Sequence, residues 1–258
     1  MRLAAIISLV LAAPTFAQKK PDAKDRPQLT FAEPFAVVPG QTNKLKLRGL
    51  KLDDVTEVRC HEPKATAKLA GKPAKVSVPD AKLLPLYGDM QIDVELTVPP
   101  ESTYGEVTIS VVNVAGESTP LRLVIDDGLP RVAEKEPNDG FRQAQAIRLG
   151  TIVEGVIQSP QDVDVLAFEG KAGQRVVFTA QASRYGSPLE AMLTLYDAAG
   201  HVIRSSDDVG RGENARLDLT LPRDGRYYIA VVDAHDTGGP GHRYRLRVEE
   251  ANRTGRGK

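Results

Sequence analysis

The chain has 258 residues, with 34 Lys+Arg balanced by 34 Asp+Glu. That length suits two domains of ordinary size, and the balance leaves no global field to attract nucleic acid or an anionic membrane. Cys60 is the sole cysteine, which excludes an intramolecular disulfide and leaves core packing, with or without a metal, to hold the fold.

The chain opens like an export signal. Met1-Arg2 is a short positive start, and 3–13 is an apolar run well below the roughly 20 residues that span a bilayer. Pro14-Thr15-Phe16-Ala17 then places small residues where a signal peptidase reads, so 1–17 is expected to be a signal peptide and Gln18 the mature N-terminus. An uncleaved anchor is the alternative. With no cysteine at the cut a lipid anchor is not expected, and no later stretch is apolar enough for a transmembrane segment. The expected destination is the periplasm, the cell surface or the medium. Residues 18–27, charged and containing proline, read as a linker.

Residues 28–126 predict a β-sandwich. Leu45-Lys46-Leu47-Arg48, Ile92-Asp93-Val94-Glu95-Leu96-Thr97-Val98, Val107-Thr108-Ile109-Ser110-Val111 and Leu121-Arg122-Leu123-Val124 each put apolar side chains on one face of a strand. Pro39-Gly40, Gly71, Pro79, Pro99-Pro100 and Gly116 punctuate them, and no convincing helical period intervenes. Cys60 ends an alternating run from Val55 and is expected to be a small buried apolar residue rather than a nucleophile. The residues Pro34, Val38-Pro39-Gly40, 45–52 and 112–118 resemble immunoglobulin-like domains of the TIG type found in exported bacterial proteins. The resemblance implies an Ig-like spacer or interaction module.

Asp126-Asp127-Gly128-Leu129-Pro130 breaks the pattern, and 127–133 reads as a second linker. A second sandwich, read as jelly-roll-like, is predicted over 134–249, followed by a disordered tail at 250–258. Its expected strands lie at 152–157, 163–168, 175–182, 191–196, 202–204, 215–221, 226–232 and 244–248. A short helix over 141–147, capped by Asn138 or Asp139, is expected before them. The whole chain is therefore all-β.

The strongest chemical signal opens this second half. In Glu134-Lys135-Glu136-Pro137-Asn138-Asp139, an extended backbone would put Glu134, Glu136 and Asn138 on one face, and Asp162 and Asp164 share a face by the same rule. Five carboxylates and an amide, without His or Cys, suit Ca²⁺ better than Zn²⁺. The alternative is a solvated loop with a helix cap. Other candidates read as structural. Asp207-Asp208 is expected to be a polar turn. Gly238-Gly239-Pro240-Gly241, between Asp233-Ala234-His235-Asp236 and His242, is expected to be a flexible surface hairpin rather than part of a metal site. His61 and His201 stand alone in sequence, so a catalytic triad is not supported. In Tyr227-Tyr228, one ring should face the core and the other solvent.

The order Glu134-Lys135-Glu136-Pro137-Asn138-Asp139, Gly150, Gly155, Asp162-Val163-Asp164, Ala172-Gly173-Gln174, Leu193-Thr194-Leu195-Tyr196-Asp197, Gly200, Asp207-Asp208, 225–231 and Tyr244-Arg245-Leu246 resembles the bacterial pre-peptidase C-terminal domain. That family includes the collagen-binding domains of clostridial collagenases. The resemblance implies a β-sandwich attached to secreted hydrolases, with Ca²⁺ held by Glu134, Glu136, Asn138, Asp139, Asp162 and Asp164. It also implies that the metal ties the linker to the sandwich. The chain departs from the family at Ser187-Pro188-Leu189-Glu190 and at Leu166, and with no Trp and seven Tyr it does not point to collagen.

The expectation is an exported, non-catalytic binding, adhesion or substrate-targeting protein. Its partner would be an extracellular or cell-envelope protein or polysaccharide. The alternatives are an accessory subunit of a separately encoded secreted hydrolase and a pure spacer.

Overall fold

The computed structural model describes residues 22–78, 80–103, 105–207 and 214–251. The expected signal peptide, Asp208 and residues 252–258 lie outside them. The first half forms β1 (Gln28–Glu33), β2 (Ala36–Val37), β3 (Thr42–Leu50), β4 (Glu57–Cys60), β5 (Thr66–Leu69), β6 (Ala74–Lys75), β7 (Met90–Thr97), β8 (Gly105–Asn113), β9 (Gly116–Glu117) and β10 (Leu121–Ile125). One sheet runs β1-β3-β7-β5 with β6 also on β7, and the other runs β2-β10-β8-β4 with β9 on β8. These orders match the two sheets of an immunoglobulin-type sandwich. The predicted alternation supplies the core, with Leu45, Leu47, Ile92, Val94, Ile109 and Val111 buried between the sheets.

The second half forms β11 (Arg131–Ala133), β12 (Gln145–Ala146), β13 (Thr151–Val156), β14 (Asp164–Gly170), β15 (Arg175–Gln181), β16 (Ala191–Tyr196), β17 (Val202–Asp207), β18 (Ala215–Thr220), β19 (Gly225–Asp233) and β20 (Arg243–Glu250). Its sheets are β11-β13-β20-β15-β18 and β12-β14-β19-β16-β17, closing on a core that includes Phe168, Phe178 and Tyr227.

Three expectations are corrected. Of the expected linker at 18–27, residues 22–27 lie on the first sandwich: Asn113 Nδ2 donates to the Asp25 carbonyl at 3.0 Å, and Pro27 is buried. Of the linker at 127–133, residues 131–133 are β11, paired in parallel with Ile152–Glu154. Three residues are too few to display an alternation. The expected helix over 141–147 is a turn followed by β12, which pairs in parallel with Leu166 and Ala167. The Gln145 side chain receives the Lys135 N–H at 2.7 Å and donates to the Ala133 carbonyl at 3.0 Å, binding this segment to the acidic one.

The sandwiches meet along β20. Tyr244, Leu246 and Val248 point into the second core, so Arg243, Arg245 and Arg247 share the opposite face. Arg243 pairs with Glu33 at 2.7 Å. Arg245 pairs with Asp126 at 2.8 Å and with Glu154 at 3.1 Å, and Arg247 pairs with Asp127 and Glu249. The Arg245 and Asp126 side chains are only 4% and 2% exposed. Farther along the junction, Arg184 and Tyr185 both bond Glu106, and Tyr185 stacks on Phe35 at 5.6 Å between ring centroids.

The glycine-rich loop is a correction as well. Instead of a flexible surface hairpin, residues 238–241 form a socket for Tyr87, which belongs to the helical turn α1 (Leu84–Tyr87) of the first half. A Cβ at Gly241 would overlap the Tyr87 ring, and one at Gly238 would overlap the Ser159 backbone. The Tyr87 hydroxyl lies 3.0 Å from His242 Nδ1. Because the Thr237 hydroxyl donates to Asp233, it accepts from His242 Nε2, 3.0 Å away, which leaves Nδ1 to accept the Tyr87 proton. Burial pushes the His242 pKa down against the raising effect of Asp233, which favours this neutral form.

Breaking a buried ion pair leaves an uncompensated charge and costs about 3–5 kcal/mol. Asp126→Ala is expected to lower unfolding stability by that order in urea denaturation, and Asp218→Ala, at the exposed Arg175–Asp218 pair, by much less. Equal losses would remove the Arg245–Asp126 contact from its central place.

Candidate metal centre

The five candidate carboxylates converge from three places: the segment after β11, which also carries Asn138, the turn carrying Asp162, and Asp164 at the start of β14. Their carboxylates form two groups that share Glu136. One holds Glu134, Glu136 and Asp164, the other Glu136, Asp139 and Asp162, and in each the offered oxygens lie within 4.8 Å of one another. Oxygens bound to one Ca²⁺ at its usual distances are at most about 5 Å apart, so each group has the dimensions of one coordination sphere.

The common face inferred for an extended strand is not what gathers these groups. β11 ends at Ala133, the Glu136–Pro137 peptide is cis, and Glu136 is exposed while Asn138 is buried. Hydrogen bonds shape the segment instead. The Glu134 N–H donates to the Glu154 carbonyl at 2.9 Å, and Glu134 Oε2 accepts from the Val156 N–H at 2.7 Å. Glu136 Oε2 accepts from the Asn138 N–H at 2.9 Å, and the Asn138 carbonyl accepts from the Val165 N–H at 3.1 Å. Gln158 donates its backbone N–H to Asp162 and its side-chain amide to Glu136. Phe141, two residues beyond Asp139, packs on Tyr196 and Tyr228 at 5.2 and 4.7 Å and pins the far end.

The centre is electrostatically unfinished. Burial, reinforced by the charge of Glu134, pushes the Asp164 pKa up to about 8. Burial also raises Glu134, with Glu136 and Asp162 adding to the effect and the Val156 N–H opposing it. Tyr244 is held well above the ordinary tyrosine value, first by burial and then by Asp164. Both Asp164 oxygens, both polar atoms of the Asn138 side chain and the Tyr244 hydroxyl are buried without a well-formed hydrogen bond. Native interiors pair such groups. A hard cation would satisfy these oxygens, and the all-oxygen donor set fits Ca²⁺.

The sequence reading left Tyr244, Gly155, Gln158 and Phe141 out of the site. A Cβ on Gly155 would overlap both Glu134 Oε2 and the Tyr244 hydroxyl, so this glycine makes the room they occupy. Tyr244 carried a signal: in the inward series with Leu246 and Val248, a tyrosine brings a hydroxyl that needs a polar neighbour.

The remaining candidates behave differently. His242 is engaged by Tyr87 and Thr237, and neither it nor His235 joins a metal-sized group among the described residues. His61, which stands alone in sequence, has spatial partners: its Nε2 is 2.9 Å from Ser110 Oγ and 3.5 Å from Glu117. The Ser110 side chain is fully buried and donates to Glu117, which approaches the same ring nitrogen as the serine. A charge-relay triad instead orients the far nitrogen with its acid. His201 bonds Asp197 within a turn, and Asp207 ends β17. Tyr227 is buried, while Tyr228 is half-buried beside Phe141 and Arg226. Cys60 is half-buried, and burial raises its thiol pKa.

Residues 162–233, which lie within the second sandwich, match the family described as the bacterial pre-peptidase C-terminal domain. A Deinococcus radiodurans protein named "probable subtilase-type serine protease" is 32% identical over 133 residues, which is 49% of this chain and 18% of that protein's length. The pre-peptidase C-terminal domain of a Bacillus anthracis collagenase is 16% identical, covering 45% of this chain and all of its own, with a TM-score of 0.35. A Bacteroides ovatus protein, SGBP-B of a mixed-linkage glucan utilization locus, solved with a heptasaccharide, is 10% identical. It covers 77% of this chain and 71% of its own, with a TM-score of 0.24.

A carboxyl raised from 3.8 to about 8 in the fold holds its proton there after the unfolded chain has released it. Its stabilising effect is complete below the unfolded value and is lost as pH rises through the folded one. In EDTA, Asp164→Asn is therefore expected to gain stability relative to wild type as pH increases from about 4 to about 8. Melts across that range check it, and a pH-independent difference would contradict the assigned environment.

Proposed function

We propose that the protein is an exported, non-catalytic binding protein whose second sandwich is completed by Ca²⁺ at Glu134, Glu136, Asn138, Asp139, Asp162 and Asp164. The observation that carries the metal is the pair of carboxylate groups sharing Glu136, together with the buried oxygens of Asp164 and Asn138, which lack a well-formed hydrogen bond. In this reading the bound ion neutralises clustered negative charge and fastens the segment after β11 to β14. Glu134 and Asp164 would bind on the buried side and Asp139 and Asp162 on the exposed side, with Glu136 serving both.

The binding role is supported by the family of the second sandwich and by the burial and bonding of Ser110, which withhold a nucleophile from the His61 group. The partner in this reading is an extracellular or cell-envelope protein or polysaccharide, met by two sandwiches held in one orientation. Among the described residues no helix is long and apolar enough to cross a membrane. Association with a secreted peptidase is a second reading, favoured by the 32% identity to a protein named as a subtilase-type protease.

Thermal melts in EDTA, Ca²⁺ and Mg²⁺ test the metal. A ligand at a hundredfold excess over its Kd adds about 2.7 kcal/mol, which for this size of protein is a rise of roughly 5–10 °C. The rise is expected with Ca²⁺, to be much smaller with Mg²⁺, and to vanish in the double variant Glu136→Gln, Asp164→Asn. A full Ca²⁺ response in that variant would place the site elsewhere.

A further inference from the structure

Between the sandwiches lies a cleft of about 310 Å³ that none of the six metal candidates lines. Phe31, Glu33, Arg48 and Tyr87 face it from the first half, and residues 238–241 with Arg243 face it from the second. Apolar clefts of this size with a few convergent polar groups, placed between domains, are where small ligands bind. The charges here are unequal: two guanidiniums and one carboxylate, Glu33.

Both arginines are incompletely bonded. Arg243 Nη2 pairs with Glu33 and Arg48 Nη2 donates to the Gly88 carbonyl at 2.9 Å, and the Nε of each is buried without a hydrogen-bond partner. The Arg48 guanidinium sits over the Phe31 ring at 5.7 Å, and the Phe31 ring meets Tyr87 edge-on at 6.4 Å. Burial lowers the Arg48 pKa, with Glu33 and Asp89 opposing. The cleft thus combines an aromatic floor, bare glycine backbone and two guanidinium groups set against a single carboxylate.

We propose that this cleft binds the C-terminal carboxylate of an extended peptide whose last side chain is apolar. The carboxylate is received by Arg48 and Arg243, and the side chain rests on Phe31, Tyr87 and Leu83. A planar carboxylate offers the paired acceptors that guanidinium forks favour. Glu33, 43% exposed, is the internal carboxylate that the ligand displaces from Arg243. The assignment goes beyond the metal reading and stands if Ca²⁺ fails to bind.

The test is a titration of the purified chain with N-acetyl-Ala-Leu as the free acid and as the amide. It follows the backbone amide resonances of Gly238, Gly239 and Gly241 and the Nε–H resonances of Arg48 and Arg243. Saturable shifts are expected with the acid at millimolar concentration and not with the amide. Arg48→Gln should weaken binding at least about tenfold, since it removes hydrogen bonds to a charged group. Glu33→Gln should tighten it by removing the competitor, an effect of opposite sign that damage to the fold would not produce. Equal response to acid and amide, binding that survives Arg48→Gln, weaker binding in Glu33→Gln, or no saturable shift with the acid would each overturn the proposal. Acetate matching the peptide would reduce the cleft to a simple anion site and overturn the peptide assignment.

Discussion

The alternation of β20 governs the molecule. A strand presents successive side chains to opposite faces, and here neither face is left to solvent. Tyr244, Leu246 and Val248 fill the second core, while Arg243, Arg245 and Arg247 hold carboxylates that include Glu33, Asp126 and Asp127. Apolar surfaces tolerate sliding, whereas guanidinium–carboxylate contacts are directional. Three of them spaced along one strand specify where the first sandwich sits. The Tyr87 socket and the Glu106 contacts with Arg184 and Tyr185 restrain the same junction elsewhere.

The acidic centre is built on the same framework. Glu154 reaches Arg245 at the junction, and the next residue, Gly155, gives space to Glu134 and the Tyr244 hydroxyl. On β20, Tyr244 touches the centre and its neighbour Arg245 bonds Asp126. Charge at Asp164 and alignment of the sandwiches are thus separated by one peptide unit of β20 and one of β13. The two regions differ in how completely they are paired: Arg245 meets two carboxylates, while Asp164 has no well-formed partner.

Much of this was legible because core strands alternate. The runs at 45–48, 92–98, 107–111 and 121–124 fall within β3, β7, β8 and β10 with one residue to spare at Val98, and the later runs fall on β13 to β20. What escaped was too short or too dependent on distant partners. β11 and β12 have three and two residues, below the length at which a period can be seen. The glycine loop carried the composition of a flexible turn, but its glycines answer to the close approach of Tyr87 and Ser159, which no local pattern reveals. The acidic residues were visible as a cluster. Their division into two groups around Glu136, and the unequal burial of Asp164 and Asp139, follow from tertiary hydrogen bonds that only the fold displays.

The position of β20 within its sheet also imposes an order on folding. It lies between β13 and β15, pairing antiparallel with both, although every other strand of that sandwich precedes it in sequence. During synthesis or export in the N-to-C direction, β13 and β15 therefore emerge with a gap between them, and their facing edges remain unpaired until 243–250 arrives. Such long-range closure is slow, and it exposes strand edges that invite pairing with other chains. The first sandwich has no such debt to the second: its sheets close with β10, so a nascent chain can carry one finished domain and one open sheet, and the last strand completes both that sheet and the junction together.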